Sequence, residues 1–419
     1  MITPTGEGLR QRADYTHKFN ASTGRHGWLR LTPAYSVKIV EELLSQYKGR
    51  LRVLDPFSGT GTTVLSAAYH GHTGVTTDIN PFLVWLGETK IARYSDSSIA
   101  AALAACEQVV DIVERNSVDP APPPSIHNID RWWSREALAF LCALKASIGV
   151  ATKAESPQRR LLLVAFCRTL IKLSNAAFNH QSMSFKGEEQ LELRLSVNLK
   201  HVFEEEVNFV AVGAQENPKG AGEVVYGDAR RLEDAVDGTF DLVVTSPPYA
   251  NRMSYIRELR PYMYWLGFLA NGRDAGELDW ASIGGTWGVA TSRLADWRRP
   301  SVKFDSDQIH GVLDRIGHHS NKSGEVLAKY IAKYLDDMWA HFDSLTSVLG
   351  RGSKIHYIVG NSTFYGILVP VEQLYVLMLE RLGFEEIQCR PIRKRNSKKE
   401  LFEFDVSARW EGRLRARRD

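Results

Sequence analysis

From Pro33 onward, Val37, Ile39, Val40, Leu43 and Leu44 recur at three- to four-residue spacing, which predicts a helix with one buried face. The apolar run LRVLD comes next and ends in Asp55-Pro56 and a Gly/Thr loop, as a short strand would. VLSAAYHG then reads as a helix stopped by Gly71, and HTGVTTDIN as a second strand. Strand, Gly-rich turn, helix and strand make a parallel β-α-β unit. Residues from about 95 to 215 are rich in Ala, Leu, Glu and Arg, broken by Pro120–Pro124 and by a polar middle, SNAAFNHQSMSFKG; a mainly helical insertion is expected. Strand-like runs resume with GEVVYGDAR and FDLVVTSPPY. An irregular Trp/Gly/Arg-rich stretch to about 325 precedes a long amphipathic helix, LAKYIAKYLDDMWAHFDSLTSVL. A strand (KIHYIVGNS), a helix (VPVEQLYVLMLERLG) and two further strands (FEEIQCRPI, LFEFDVSARW) complete the pattern. The last pair fits an antiparallel hairpin edging a mostly parallel sheet. The expected organisation is one α/β domain over 25–95 and 216–410, interrupted by the helical insertion 96–215 and by an irregular insertion at 257–325.

Composition narrows this picture only a little. The 419 residues are 44% apolar and 24% charged, with Gly, Pro and Cys near or below average, so collagen-like, disordered and disulfide-stapled classes are excluded. A net charge of only +3 means that a polyanionic partner must be held by a local basic face. The four cysteines are scattered, which fits reduced thiols, and no metal site is expected. The polar N-terminus is unlike a signal peptide, and no apolar run reaches the ~18 residues of a membrane span. A cytoplasmic protein without membrane contact is expected.

Two constellations carry chemistry. The first, Asp55-Pro56-Phe57-Ser58-Gly59-Thr60-Gly61-Thr62-Thr63, lies where a strand passes into a helix, and ligands of open α/β sheets bind off the carboxyl ends of strands. Gly59 and Gly61 let a ligand approach the backbone, Thr62 and Thr63 can cap the helix, and Asp78 ends the next strand where an acid can accept from ribose hydroxyls. Val64 stands where a dinucleotide fingerprint needs its third glycine, and no phosphate-loop lysine follows. An acid facing the loop instead suits a cationic ligand such as S-adenosylmethionine, which carries an ammonium and a sulfonium.

The second constellation is Thr245-Ser246-Pro247-Pro248-Tyr249, directly after an apolar strand. Two prolines stop the strand and stiffen the turn. A nucleobase amine is a weak nucleophile because its lone pair is delocalised into the ring. The Ser246 hydroxyl and the Pro247 carbonyl, accepting its two N–H hydrogens, would turn the nitrogen toward tetrahedral geometry, and Tyr249 offers a ring on which the base can stack. Rigid positioning of this kind contributes several kcal/mol, up to ~7–11 in ideal cases.

DPFSGTGTT together with TSPPY resembles the S-adenosylmethionine-dependent amino-methyltransferases of DNA, which act on cytosine N4 or adenine N6. The resemblance implies a mostly parallel seven-stranded Rossmann-like methyltransferase sheet with helices on both faces. It implies Ser246, Pro247, Pro248 and Tyr249 as the catalytic turn that holds a flipped base. It implies cofactor contacts from Asp55, Pro56, Phe57, Gly59, Gly61 and Thr62, from Asp78 and Asn80, and from Asp228 and Ala229 in VVYGDARRL. Thr32 and Pro33, in the segment before the first motif, join that set. Ser in the first position of the tetrapeptide is more usual for cytosine N4 and Asp for adenine N6. N4-cytosine in double-stranded DNA is therefore the expectation and N6-adenine the alternative, although many N4-cytosine enzymes carry the catalytic motif before the cofactor motif, the reverse of the order here. A cognate restriction endonuclease is the implied functional partner.

Rivals are an RNA base methyltransferase and an inactive nucleic-acid-binding protein. A cytosine-C5 enzyme would need a Pro-Cys nucleophile, and no cysteine follows a proline. DNA reading is expected from the helical insertion, through Arg131-Trp132-Trp133, Asn175, Asn179, His180, Gln181 and Lys186, or from the aromatic and basic residues after Tyr249, against the plainer reading of Tyr262, Tyr264, Trp265 and Phe268 as a buried helix face. Residues 390–419 hold eleven Lys/Arg against five acids, a candidate phosphate contact.

Overall fold

Seven strands form one sheet in the computed structural model, which describes residues 9–29, 35–177, 184–185, 198–285, 289–299, 304–319, 321–395 and 400–412. They are β1 (Arg52–Asp55), β2 (Thr73–Asp78), β3 (Ala221–Tyr226), β4 (Phe240–Thr245), β5 (Leu349–Gly360), β6 (Glu385–Lys394) and β7 (Phe402–Trp410). Their order across the sheet is β3-β2-β1-β4-β5-β7-β6. The first five run parallel, and β7 is antiparallel to both of its neighbours. The central strands are short apolar runs because both faces are covered: Val53, Leu54, Leu242, Val243 and Val244 are all fully buried. Strand order reverses at β1, so the loops after β1 and β4 leave in opposite directions and open a crevice at their carboxyl ends.

Helix α1 (Val37–Leu44), capped by the Ser36 side chain, lays Ile39, Val40, Leu43 and Leu44 against one face of the sheet. Helix α2 (Thr62–Tyr69) follows β1, and α3 (Pro81–Ile91) follows β2 with Asn80 as its cap and Pro81 in its first turn. Between α3 and β3 come α4 (Asp96–Glu114), α5 (Arg135–Ala151), α6 (Pro157–Lys172) and α7 (Leu199–Gln215). Each starts at a Ser or Asn whose side chain accepts a first-turn N–H: Ser95, Ser134, Ser156 and Asn198.

The stretch after Tyr249, expected to be irregular, is largely helical where described: α8 (Tyr255–Leu266), α9 (Gly272–Ala281), α10 (Val289–Asp296) and α11 (Asp307–His319). Local caps that composition obscured account for the difference. Ser254 caps α8, and Asn271 with Asp274 forms a capping box on α9. Helices α12 (Asn321–Leu345) and α13 (Val371–Leu382) cover the second face of the sheet, packing Met338, Phe342, Leu374 and Tyr375 against Ile355 and Tyr357.

Helices α3 to α8 share one apolar core. Trp132 and Trp133 lie inside it, each 1% exposed, and the Trp133 indole N–H donates to the Leu170 carbonyl. Tyr262, Tyr264 and Trp265 are buried in the same core. These aromatics are structural, so the expectation that Trp132 and Trp133 help to read bases is corrected, and the plainer reading of α8 holds. Asn179, His180, Gln181 and Lys186 lie outside the described residues. No described helix is long and apolar enough to cross a membrane.

Candidate functional site: one cavity between two strand-end loops

The loop after β1 is fastened by its neighbours. The Thr76 and Thr77 hydroxyls on β2 donate to the carbonyls of Asp55 and Pro56 (2.7 and 2.9 Å), and the Lys90 ammonium on α3 donates to the Thr60 carbonyl (2.8 Å). Gly61, at φ +74°, is the left-handed cap of α2, and Gly59 sits at φ +50°, a region other residues enter only with strain. A Cβ on Gly59 would meet nothing nearer than 3.9 Å, so the space above it is open.

That space belongs to a cavity at the crevice between β1 and β4, the place where open α/β sheets bind ligands. Pro56, Phe57, Gly59 and Thr62 form one wall. Asp78 and Asn80 from the end of β2 adjoin it, with Asp228 and Ala229 from the end of β3. Ser246 and Pro248, at the end of β4, line the same cavity. The two constellations are also bonded to each other: the Thr245 hydroxyl donates to Asp55 Oδ1 at 2.5 Å.

Four expected residues are absent from the cavity wall. Asp55 lies beneath the loop rather than facing a ligand: it is fully buried, and Oδ1 also accepts from the Phe57 N–H (3.1 Å). Its Oδ2 is buried without a hydrogen-bond partner among the described residues. Gly61 acts as the helix cap. Pro247 and Tyr249 do not line the cavity, although Ser246 and Pro248 beside them do. Thr32 and Pro33 lie outside the described residues.

Burial pushes the Asp55 carboxyl up to about 7, against the bonds from Thr245 and Phe57 that favour its charged form. Burial likewise raises Asp78 to about 7, although it accepts the Gly59 and Asn80 N–H groups at 3.0 and 2.9 Å. Asp228 is different. Burial pushes its carboxyl up, but the Arg230 guanidinium, which grips both oxygens, holds it below the usual value. Arg230 is itself anchored on Asp337 and on the Ala281 carbonyl.

The turn after β4 is held at nearly every polar group. The Ser246 hydroxyl donates to the Ile358 carbonyl (2.9 Å), the Pro248 carbonyl accepts from Tyr334 (2.9 Å), and the Tyr249 N–H donates to the Tyr255 hydroxyl (3.2 Å). The Tyr249 phenol donates to Glu403 (2.8 Å), which also takes two bonds from Arg393.

Sequence reasoning missed several contributors. Ser58 is signalled by the loop itself, but Tyr255 and Ala281–Ile283 reach the cavity from the 250–285 region. His341 on α12 carried no signal at all. Its Nδ1 contacts the Ala229 carbonyl (2.7 Å) and its Nε2 the Tyr357 hydroxyl (2.6 Å), with Phe57 edge-on at 4.8 Å. A carbonyl only accepts, so Nδ1 carries the hydrogen and Nε2 accepts from Tyr357. Among the described residues no three His, Cys, Asp or Glu side chains gather as a metal site would require.

The chain is 24% identical over 352 residues to the Type II methyltransferase M.MvaI of Kocuria varians, covering 79% of this chain and 75% of that one. It is 22% identical over 424 residues to the Type II methyltransferase M.BsoBI of Geobacillus stearothermophilus, covering 91% and 82%. Among solved structures, the rRNA methyltransferase aviRa from Streptomyces viridochromogenes aligns with a TM-score of 0.33 at 11% identity, over 95% of this chain and 94% of that one. No family model matches the chain. With M.MvaI and M.BsoBI as relatives, and with both strand-end loops opening on one cavity of a seven-stranded sheet, the chain is a homologue of Type II methyltransferases, and its methyl donor is S-adenosylmethionine.

Proposed function

We propose that the protein methylates the exocyclic N4 amine of cytosine in duplex DNA, on a base swung out of the helix. The observation that carries this reading is the shared cavity: the glycine-lined loop and, from the turn after β4, Ser246 and Pro248 face one space, and Thr245 is bonded to Asp55. The residues present suit the cofactor. Asp78 retains lone pairs at the cavity wall, where the ribose hydroxyls and ammonium of S-adenosylmethionine need acceptors, and Asp55 adds negative charge from beneath the loop. Phe57, Ile79 and Leu83 offer apolar surface. Bound there, S-adenosylmethionine supplies a methyl group made electrophilic by its sulfonium.

The chain's own part is to prepare the amine. The Ser246 hydroxyl spends its single hydrogen on Ile358, so toward the cavity its oxygen can only accept. The Pro248 carbonyl is taken by Tyr334, whereas no hydrogen bond among the described residues engages the Pro247 carbonyl. These two oxygens are the acceptors for the amine's N–H pair. A hydroxyl rather than a carboxylate in the first position supports cytosine N4 by the family's usual pattern. No tuned general base is needed, because the amine becomes acidic once methylated and loses its proton to water.

Single-molecule sequencing of DNA from a methylation-free host expressing the protein tests the reading. N4-methylcytosine at one sequence context is expected. N6-methyladenine would overturn the choice of base, and unmodified DNA the choice of substrate.

Cofactor binding should also depend on pH. Burial raises Asp78 at the wall and Asp55 beneath the loop to about 7 in the free protein, and their ionised forms attract a cation, so binding releases protons. Affinity for S-adenosylhomocysteine is expected to rise between pH 6 and 7.5, by up to about tenfold per unit for each coupled proton. It levels once both carboxylates are ionised, above about pH 8. Calorimetry in two buffers of different ionisation enthalpy measures the released protons; a flat profile would exclude both carboxylates from the ammonium site.

A further inference from the structure

The face of Tyr249 is occupied. The Arg395 guanidinium, just beyond β6, lies 4.9 Å from the centre of the Tyr249 ring. Three elements build this arrangement. Arg393 and Arg395 stand two residues apart. Arg393 fixes the phenol through Glu403, while Arg395 covers the ring. Gly360, at the end of β5, leaves the room: a Cβ there would fall 2.1 Å from Arg395 Nη1 and 3.0 Å from Tyr249 Cε2. The neighbouring arginines of the hairpin are paired, Arg390 with Asp405 and Arg393 with Glu403. Among the described residues Arg395 pairs with no carboxylate, and its guanidinium donates there only to the Asn361 carbonyl, at 2.8 Å.

We propose that Arg395 is a placeholder for the target base: in the DNA-free protein its guanidinium sits on the face of Tyr249 that receives the flipped nucleobase, and the base displaces it. A guanidinium and a nucleobase are both flat, both stack on aromatic rings and both carry N–H groups at their edges, so one seat serves either. Stacked base and ring planes are roughly 3.5 Å apart, so a base cannot enter on this face while Arg395 holds it. Without a carboxylate partner, Arg395 gives up one carbonyl hydrogen bond and one cation–π contact, a modest cost that any inserted base must exceed. Arg395 is on this account a positioning residue that restricts the seat to rings stacking better than itself. The inference rests on the stacking role of Tyr249 in the proposed function.

The test uses the full-length protein with S-adenosylhomocysteine and two duplexes carrying the target sequence, one intact and one abasic at the target nucleotide. Both have the same phosphates, so the ratio of their affinities isolates seating of the base from backbone attraction. R395A is expected to raise that ratio about 5- to 10-fold, the scale of a partly buried cation–π contact. R395Q keeps a planar group and the bond to Asn361 and should give a smaller rise in the same direction, which covers the case in which R395A folds poorly. A ratio unchanged in both variants, or lowered, would overturn the placeholder role. Y249A separates this from the underlying reading: wild-type methyl transfer in Y249A would remove the seat itself, whereas lost transfer in Y249A with unmoved ratios in the Arg395 variants would remove only Arg395.

Discussion

Ser246→Ala is expected to lower kcat for methyl transfer at least about 100-fold, with affinity for S-adenosylhomocysteine unchanged within a factor of two or three. Ser246 shares the cavity with the glycine loop but belongs to the turn after β4, so its loss leaves the walls formed by Gly59 and Asp78 in place. What disappears is one of the two oxygens proposed to accept from the amine. The nitrogen needs both acceptors most as its lone pair leaves conjugation, so the interaction strengthens toward the transition state. Removing such an interaction lowers kcat and kcat/KM together. Loss of one preorganised polar partner of a developing centre typically costs about 10²–10³ in rate. A second consequence is structural and small: the Ile358 carbonyl loses its hydrogen bond, worth about 1 kcal/mol, and the melting temperature should fall only slightly. Single-turnover transfer of a labelled methyl group measures the rate. A fall under threefold would show that Ser246 is merely a strand-end cap for Ile358.

The parts of this site legible in the sequence are those whose physics is local. A four-residue apolar strand that ends in Asp-Pro and a Gly-x-Gly turn can be read without tertiary context, because Gly61 needs its positive φ wherever the chain goes. The two prolines after β4 terminate a strand by their own covalent geometry. The closing hairpin was legible from two strand-like runs around a basic turn, and its antiparallel register is now explicit. What stayed hidden depends on neighbours remote in sequence. His341 lies more than a hundred residues from Ala229, and nothing in LDDMWAHFDSL marks one polar position on a buried helix face as the prop of a loop. Tyr255 fell in the stretch expected to clamp a splayed strand and Tyr334 in the long amphipathic helix, yet their hydroxyls serve the catalytic turn's backbone. Trp132 and Trp133 beside Arg131 gave the opposite error: an aromatic-basic cluster resembling a recognition element is the centre of a helical core. Residue type alone does not separate these cases, because burial is set by packing partners that the local pattern does not name.

Asp55→Ala is expected to weaken cofactor binding about 100-fold and to destabilise the protein, whereas Asp55→Asn should separate those effects. In the folded chain Oδ1 accepts from the Phe57 N–H and the Thr245 hydroxyl, while Oδ2 is buried without a partner. Alanine removes both roles. It leaves two buried donors unpaired, each costing roughly 1–3 kcal/mol, and frees the loop from the turn after β4, so Tm falls even without ligand. Asparagine keeps an oxygen for Phe57 and Thr245 and removes only the charge. The sign of its stability effect follows from the raised carboxyl. With a folded value of about 7 against 3.8 for the free group, the native state holds a proton that the unfolded chain has lost. The contribution of Asp55 to stability therefore declines as pH rises from about 4 to 7 and stays lower above it. Asp55→Asn lacks that decline, and its Tm at pH 8 without cofactor should equal or exceed that of the wild type. Its cofactor affinity should still fall about tenfold, because an amide lacks the charge that attracts the ligand's ammonium from beneath the loop. Calorimetric titration with S-adenosylhomocysteine, beside melting curves at pH 5 and pH 8, measures both quantities. Normal affinity in Asp55→Asn with reduced affinity in Asp55→Ala would assign Asp55 to holding the loop alone, and the ammonium would then fall to Asp78.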